Sequence, residues 1–337
     1  MARLTTFSRL LITLAIVAGI GIALKMYILP RFMGDSATAP VNTETQSTPA
    51  PAGNNQADKP ASTSSSWGKS ASAFDYTPAE PVNGKLKGVA ELGATGFNYF
   101  IVRIDASKNW KLEKAVFNVS LIKENLATEE DIKEGLKKYI SEMFDYGVGP
   151  KDIHFVVSSG AAKEPGTAKI TAALKSMKYY VNVVTPLQEA KLAWQAAMPG
   201  EFRNNGFVVD IGSGNTKIAW LNGSAPTGIE LPGAKYYQED QTDATVYKEV
   251  SAKAKMIPAN LRGKCFIIGG VPFSLAKQSR NGLERYTVLK APADYTGKDV
   301  KEKSGLNIYK AIADATGCQQ FVFDWDANFT IGFLLAL

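Results

Sequence analysis

The sequence predicts an α/β protein of two duplicated halves with mixed sheets, preceded by a transmembrane helix and a disordered tether. Three observations predict it. Residues 10–29, LLITLAIVAGIGIALKMYIL, are apolar apart from Lys25. Residues 34–81 are rich in Ala, Ser, Thr, Pro, Asn and Gln and show scarcely any apolar periodicity. From Val82 onward, strand and helix patterns alternate, and the programme restarts near residue 206. The resulting division is an anchor over 1–33, a linker over 34–81 and two halves, 82–205 and 206–337.

The apolar segment is long enough to span a bilayer, and Lys25 near its end can reach the headgroups. The alternative is a cleaved signal peptide. The small residues of ATA at 37–39 resemble a cleavage site, although Pro40 directly after them argues against cutting. Arg3 and Arg9 precede the segment while Lys25 and Arg31 end or follow it, so the positive-inside signal is nearly balanced. A very short N-terminal tail usually stays inside. The expectation is therefore a single-pass inner-membrane protein with its folded body on the periplasmic side. The linker cannot bury enough surface to offset its ordering entropy, and as a random coil it reaches on the order of 40 Å.

Composition narrows the chemistry. The chain of 337 residues is 45% hydrophobic and 21% charged, as expected of a globular protein of one or two domains. Its net charge of +6 is scattered among acids, which reads as a solvated surface rather than a nucleic-acid-binding patch. The one histidine, His154, has no metal-ligand spacing around it, and Cys265 and Cys318 form no C-x-x-C pair. Zinc chemistry and a Ser-His-Asp triad are thereby disfavoured, and acid–base work would fall mainly to carboxylates. A Cys265–Cys318 disulfide is possible and not settled by sequence.

In the first half, KGVAEL, NYFIVRID and KAVFNVSL read as successive strands. TEEDIKEGLKKYISEMFDYG is an amphipathic helix with Thr128 as cap and Gly147 as stop. IHFVVSS is a buried strand, GTAKITAALKSM a helix, YYVNVVT a strand, and PLQEAKLAWQAAM a helix opened by Pro186. In the second half GFVVDIGS, NTKIAWLN and PTGIELP supply three strands, ATVYKEVSAKAKM a helix and KCFIIGG a strand. PFSLAKQ is a further helix, ERYTVLKA a further strand, and TGKDVKEKSGLNIYKAIADAT is mostly helical. The final FTIGFLLAL is too short to cross a bilayer and should pack into the body as a terminal helix.

The repeat is visible residue by residue. GVAELGATGFNYFIVRI and FVVDIGSGNTKIAWLN each place an apolar run before an acid, an apolar residue and a glycine. The acids are Glu91 and Asp210, the glycines Gly93 and Gly212, and the offset is 119 positions. Small or polar residues and a second apolar run follow. Alone, either segment reads as an ordinary hairpin turn; two copies, each opening a three-strand unit, point to something more.

This layout resembles the actin-like phosphotransferase superfamily, and within it the exopolyphosphatase and guanosine-pentaphosphate phosphohydrolase family. Six segments of this chain match that family's motifs in order. ELGATGF and DIGSGNT take the two phosphate-loop positions. SGAAKE (159–164) is similar to its T-S-A-x-R-E segment and LQEAKLAW (187–194) to its E-E-A-R segment. LPGAKYYQED (231–240) is similar to L-P-x-G-A-x-R, and CFIIGGVPFSLA (265–276) to its glycine-pair strand and loop. The resemblance covers nearly all of 85–337 and implies two actin-like (ribonuclease H-like) lobes.

It also implies a site. A phosphate chain would lie between the lobes, held by backbone N–H groups of tight turns where a side chain would keep the anion away. The implied phosphate-binding residues are Gly93, Thr95, Gly212, Ser213, Gly214, Asn215, Thr216, Gly269 and Gly270. Asp210, with Glu91 in the first turn, would hold a hydrated Mg²⁺. Glu164 takes the place of the general base and Glu189 that of a second carboxylate orienting metal or water. Bland roles stand beside these: Glu164, before Pro165, can serve merely as a helix cap, and Glu189 as a surface acid. Lys217 adds positive charge if it turns inward.

The departures are specific. Glu91 stands where the family has Asp, and Ala94 and Gly96 stand where serines are usual. Ser213 and Asn215 replace glycine and serine, Lys217 replaces a common acid, Val271 a hydroxyl residue and Gln188 the first paired acid. Two functions follow as expectations. One is a membrane-tethered actin-like protein binding a phosphorylated small molecule or polyphosphate with weak or lost catalysis, in sensing or envelope assembly with a protein partner. The other is an active Mg²⁺-dependent phosphoanhydride hydrolase.

Overall fold

The computed structural model describes residues 74–93, 96–119 and 128–337. The expected anchor, the linker up to residue 73 and Thr95 lie outside the described residues. Among those described, no helix is long and apolar enough to cross a membrane.

The first half contains β1 (Lys85–Gly93), β2 (Gly96–Ile104), β3 (Trp110–Val119), α1 (Glu129–Asp145), β4 (Ile153–Val157), α2 (Pro165–Ser176), β5 (Val181–Val183) and α3 (Pro186–Ala197). Thr128 caps α1 in a reciprocal arrangement with Asp131, and Gly147 follows its end at φ 103°. Ile132, Leu136, Ile140 and Met143 then form one buried stripe along α1. Thr185 and Gln188 cap α3 in the same reciprocal way, with Pro186 at the first turn. Gln188, which replaces an acid of the resembled family, therefore has a helix-capping role here.

The second half contains β6 (Gly206–Ile211), β7 (Asn215–Asn222), β8 (Ala225–Pro232), α4 (Asp243–Ala254), β9 (Lys264–Ile268), α5 (Gly270–Ala276), β10 (Tyr286–Val288), α6 (Val300–Thr316), β11 (Phe321–Asp324) and α7 (Phe329–Ala336). The expected elements are present, with one addition. β11 has no counterpart among the strands read from sequence. It is four residues long and buried throughout, so it lacks both the length and the alternation that mark a strand.

The duplication is explicit in the sheets. The first has the order β3-β2-β1-β4-β5 and the second β10-β11-β9-β6-β7-β8. Each starts as an antiparallel meander, and its first strand then pairs in parallel with the strand after the crossover: β1 with β4, and β6 with β9. β4–β5 and β9–β11 continue in parallel, so β11 is the equivalent of β5 and β10 is an added edge.

The buried side chains among the described residues form three cores. Leu92, Tyr99, Leu136 and Leu174 lie in the outer core of the first half. Phe207, Val246, Tyr309 and Phe321 lie in that of the second. Between the sheets, α3 and α7 meet face to face, and Trp194 and Leu334 share a core with Val89, Phe100 and Phe266. The terminal helix thus packs into the body as expected.

One reading is corrected. The chain is seated in the body from Phe74, not from Val82: Phe74 stacks on Phe202, Phe266 and Tyr286 at 5.2–5.6 Å, and Tyr76 joins the same group. Two aromatics offer enough apolar area to dock a stretch whose average composition is polar. Cys265 and Cys318, whose pairing the sequence leaves open, are buried free thiols.

Candidate functional site at the twin turns

The β1–β2 and β6–β7 turns lie at equivalent places in the two halves. Strand alternation decides what faces the middle. In β6, Val209 and Ile211 belong to the outer core while Val208 belongs to the central one, so Asp210 faces centrally. In β7, Ile218 and Trp220 face outward and Ala219 centrally, so Lys217 faces centrally too. Asp210 and Lys217 are direct cross-strand partners, and Glu91 and Asn98 are the equivalent pair in the first half.

Lys217 turns inward. Its ammonium pairs with Glu189 Oε1 and lies 3.5 Å from Asp210 Oδ2, and it donates to Asn215 Oδ1 at 2.9 Å. The Lys217 and Glu189 side chains are each only 3% exposed, so neither charge is screened by water. Ser159 donates its backbone N–H (2.9 Å) and hydroxyl (2.6 Å) to Glu189 Oε2. Asn215 donates its amide to Ser159 Oγ (2.9 Å) and Glu230 Oε1 (2.7 Å). Burial opposes the charge on Lys217, but Asp210 and Glu189 outweigh it and hold the ammonium's pKa above its ordinary value. Burial pushes Asp210 up, with Lys217 pulling against it.

The first turn is built differently. Glu91 accepts from Asn98 Nδ2 at 3.3 Å and from Asn328 Nδ2, at the cap of α7, at 3.1 Å. Burial pushes its carboxyl from 4.5 up to about 7; Glu189 and Asp210 add to the rise and the amides hold it back. Its hydrogen-bond donors are amides rather than an ammonium.

The remaining candidates divide. Gly214 and Gly270 are exposed, and Gly212, Ser213 and Gly269 are partly so, leaving backbone accessible around the second turn. Gly269 adopts φ 106°, and a Cβ there would come within 2.4 Å of the Ile211 carbonyl, so only glycine lets β9 pass this close to Asp210. Thr216 falls on the outer face of β7 by strand alternation and is fully buried, its hydroxyl making no hydrogen bond among the described residues. The Asn215 side chain is spent on internal bonds. Glu164 stands exposed at the start of α2, makes no side-chain capping bond and has no link to the Lys217 cluster. Ser159, Glu230, Asn98 and Asn328 join the site without having been singled out from sequence.

The side chains present do not fit Mg²⁺ as the resemblance implies it. The oxygens of Asp210 and Glu189 that would face such an ion share the Lys217 ammonium instead. Among the described residues, no three His, Cys, Asp or Glu side chains gather as a metal-holding group. A separate cavity of about 420 Å³ lies at the β2–β3 turn, the other end of the first sheet, lined by Tyr76, Trp110, Arg203 and Arg285 among others; no residue of the β6–β7 turn borders it.

Two repeated halves, each a mixed sheet, packed about a shared pair of helices with twin turns at equivalent sites, define the actin-like α/β fold. Within it, the chain shares the fold of solved exopolyphosphatases. The Ppx/GppA family member of Aquifex aeolicus superposes with a TM-score of 0.55 over 75% of this chain and 97% of its own, at 16% identity. An exopolyphosphatase from Cytophaga hutchinsonii gives 0.58 over 74% and 96%, at 14% identity. No protein-family model and no curated protein matches the sequence.

Proposed function

We propose that the chain is a binding protein on an exopolyphosphatase-like fold: it takes a phosphorylated small molecule or polyphosphate between its halves, with hydrolysis weak or lost. The observation that carries this reading is the division of labour at the second turn. Backbone stays open at Gly214 and Gly270, suiting an anion, while Asp210 and Glu189 are committed to an internal cation. The position of Glu164 outside that cluster also favours binding over catalysis. The apolar segment 10–29 would hold the body to the inner membrane on its periplasmic side. The linker would give it reach toward an envelope partner, in sensing or assembly.

The test is a titration of the full chain with long-chain polyphosphate, ATP and guanosine pentaphosphate, following binding and phosphate release together. Binding without release is expected. A Cβ at Gly270 would meet nothing within 4 Å, so Gly270→Glu should fold normally while placing a negative group at the opening. Its binding should weaken by about tenfold or more. Phosphate release that disappears in Asp210→Asn would instead establish the Mg²⁺-dependent hydrolase.

A further inference from the structure

We infer that the Lys217 ammonium is the resident cation of this cleft, standing in place of a divalent ion, so that the phosphorylated ligand is received free of metal. Three oxygens from three elements converge on Nζ: Glu189 Oε1 from α3, Asp210 Oδ2 from β6 and Asn215 Oδ1 from β7. An all-oxygen shell rich in carboxylate is what Mg²⁺ takes. Here it is matched by the three donors of an ammonium.

The cation is also fixed. Lys217 is almost wholly buried, its strand is paired on both sides, and its partners are anchored by Ser159 and Glu230. A divalent ion entering this shell would have to displace a covalently attached charge into an apolar core, at a large desolvation cost. The consequence differs from ordinary metal-assisted phosphate chemistry: one positive charge, present with or without ligand, replaces two that arrive and leave with it. Such a charge offsets one of the two acids behind the turn, and it is not exchangeable. The ligand half of this inference rests on the function proposed above; the cation half does not.

The test uses the full chain freed of metal by EDTA. For the wild type, addition of Mn²⁺ or Mg²⁺ should leave the melting temperature unchanged, and no bound Mn²⁺ should appear in its paramagnetic resonance spectrum. Lys217→Ala should melt lower and recover by about 3 °C or more with Mn²⁺, as expected for a ligand of the folded state. That recovery should vanish in Lys217→Ala with Asp210→Asn. Should Lys217→Ala fail to fold, the wild type still decides: Mn²⁺ bound in a manner abolished by Asp210→Asn overturns the assignment. So does a folded Lys217→Ala indifferent to both metals. Polyphosphate binding in EDTA should be at least as tight as in Mg²⁺, and a requirement for Mg²⁺ overturns the metal-free cleft. Absence of any polyphosphate binding would overturn the ligand reading but not the cation assignment, which the metal arms alone decide.

Discussion

The two strand pairs that flank the turns share a place in the sheet and a register but not an electrostatic plan. In the second half Asp210 faces a lysine across the strand pair; in the first, Glu91 faces an asparagine. Both acids are buried, so each pays desolvation, and the partner decides what happens next. Beside Lys217, burial still raises the Asp210 carboxyl, but an ammonium pulls against that rise. Beside Asn98 and Asn328, amide dipoles offset only part of the burial, and Glu91 rises to about 7. Duplication preserves geometry more readily than charge, since a register is fixed by many residues and a partner by one.

The largest effect should come from breaking the charged turn. Glu189→Ala would leave Lys217 with Asp210 alone and remove the acceptor of both Ser159 donors. Loss of one partner from a buried ionic group costs about 3–5 kcal/mol, measurable by urea unfolding. A cost under about 1 kcal/mol would mean that the cluster is wet and contributes little.

The uncharged turn should reveal itself through pH. The Glu91 carboxyl titrates near 7 when folded against 4.5 ordinarily, so between those values the native state binds more protons than the unfolded chain. Its contribution to stability therefore falls as pH rises from 4.5 to about 7 and is flat above. The total is at most about 3 kcal/mol. Glu91→Gln should remove this slope and be more stable than wild type at pH 8, as read by urea unfolding across that range. An unaltered slope would place the titration elsewhere.

A smaller effect should follow from making the first turn resemble the second. Asn98→Lys sets an ammonium across from Glu91 in the register that Lys217 has with Asp210. An opposite charge at that distance lowers a carboxyl pKa by at least one unit, so the variant should gain about 1 kcal/mol at pH 8 and lose part of the slope. No change in slope would show that the first turn cannot hold a charged pair.

The fold was legible because its signals are distributed. Period-2 runs, capped amphipathic helices and a repeated acid–glycine pattern each recur, and one lost element such as β11 leaves the topology intact. The site was less legible because it depends on parity and distance. Whether Lys217 or Thr216 faces inward turns on a one-residue register, which the turn length sets and the residue types do not. Asn328 reaches Glu91 across 237 positions, and no local pattern announces that. Phe74 and Tyr76 were visible as aromatics in a polar stretch, but their docking partners Phe202, Phe266 and Tyr286 lie more than a hundred positions away, in both halves.

The smallest effect should be at Glu164, and its smallness is informative. The resemblance makes this residue the general base, whereas the structure leaves it exposed at the start of α2 with no side-chain bond to the helix it precedes. A solvated carboxylate without partners contributes little, so Glu164→Gln should change stability by no more than about 0.5 kcal/mol. If the cleft only binds, polyphosphate affinity should also be unchanged. A base acts through a water that it positions, so a hydrolase would lose phosphate release in this variant while keeping its affinity. Release from the wild type that vanishes in Glu164→Gln would give the first half a catalytic role. The lysine of the second turn would then have to be read as part of a working site rather than a replacement for its metal.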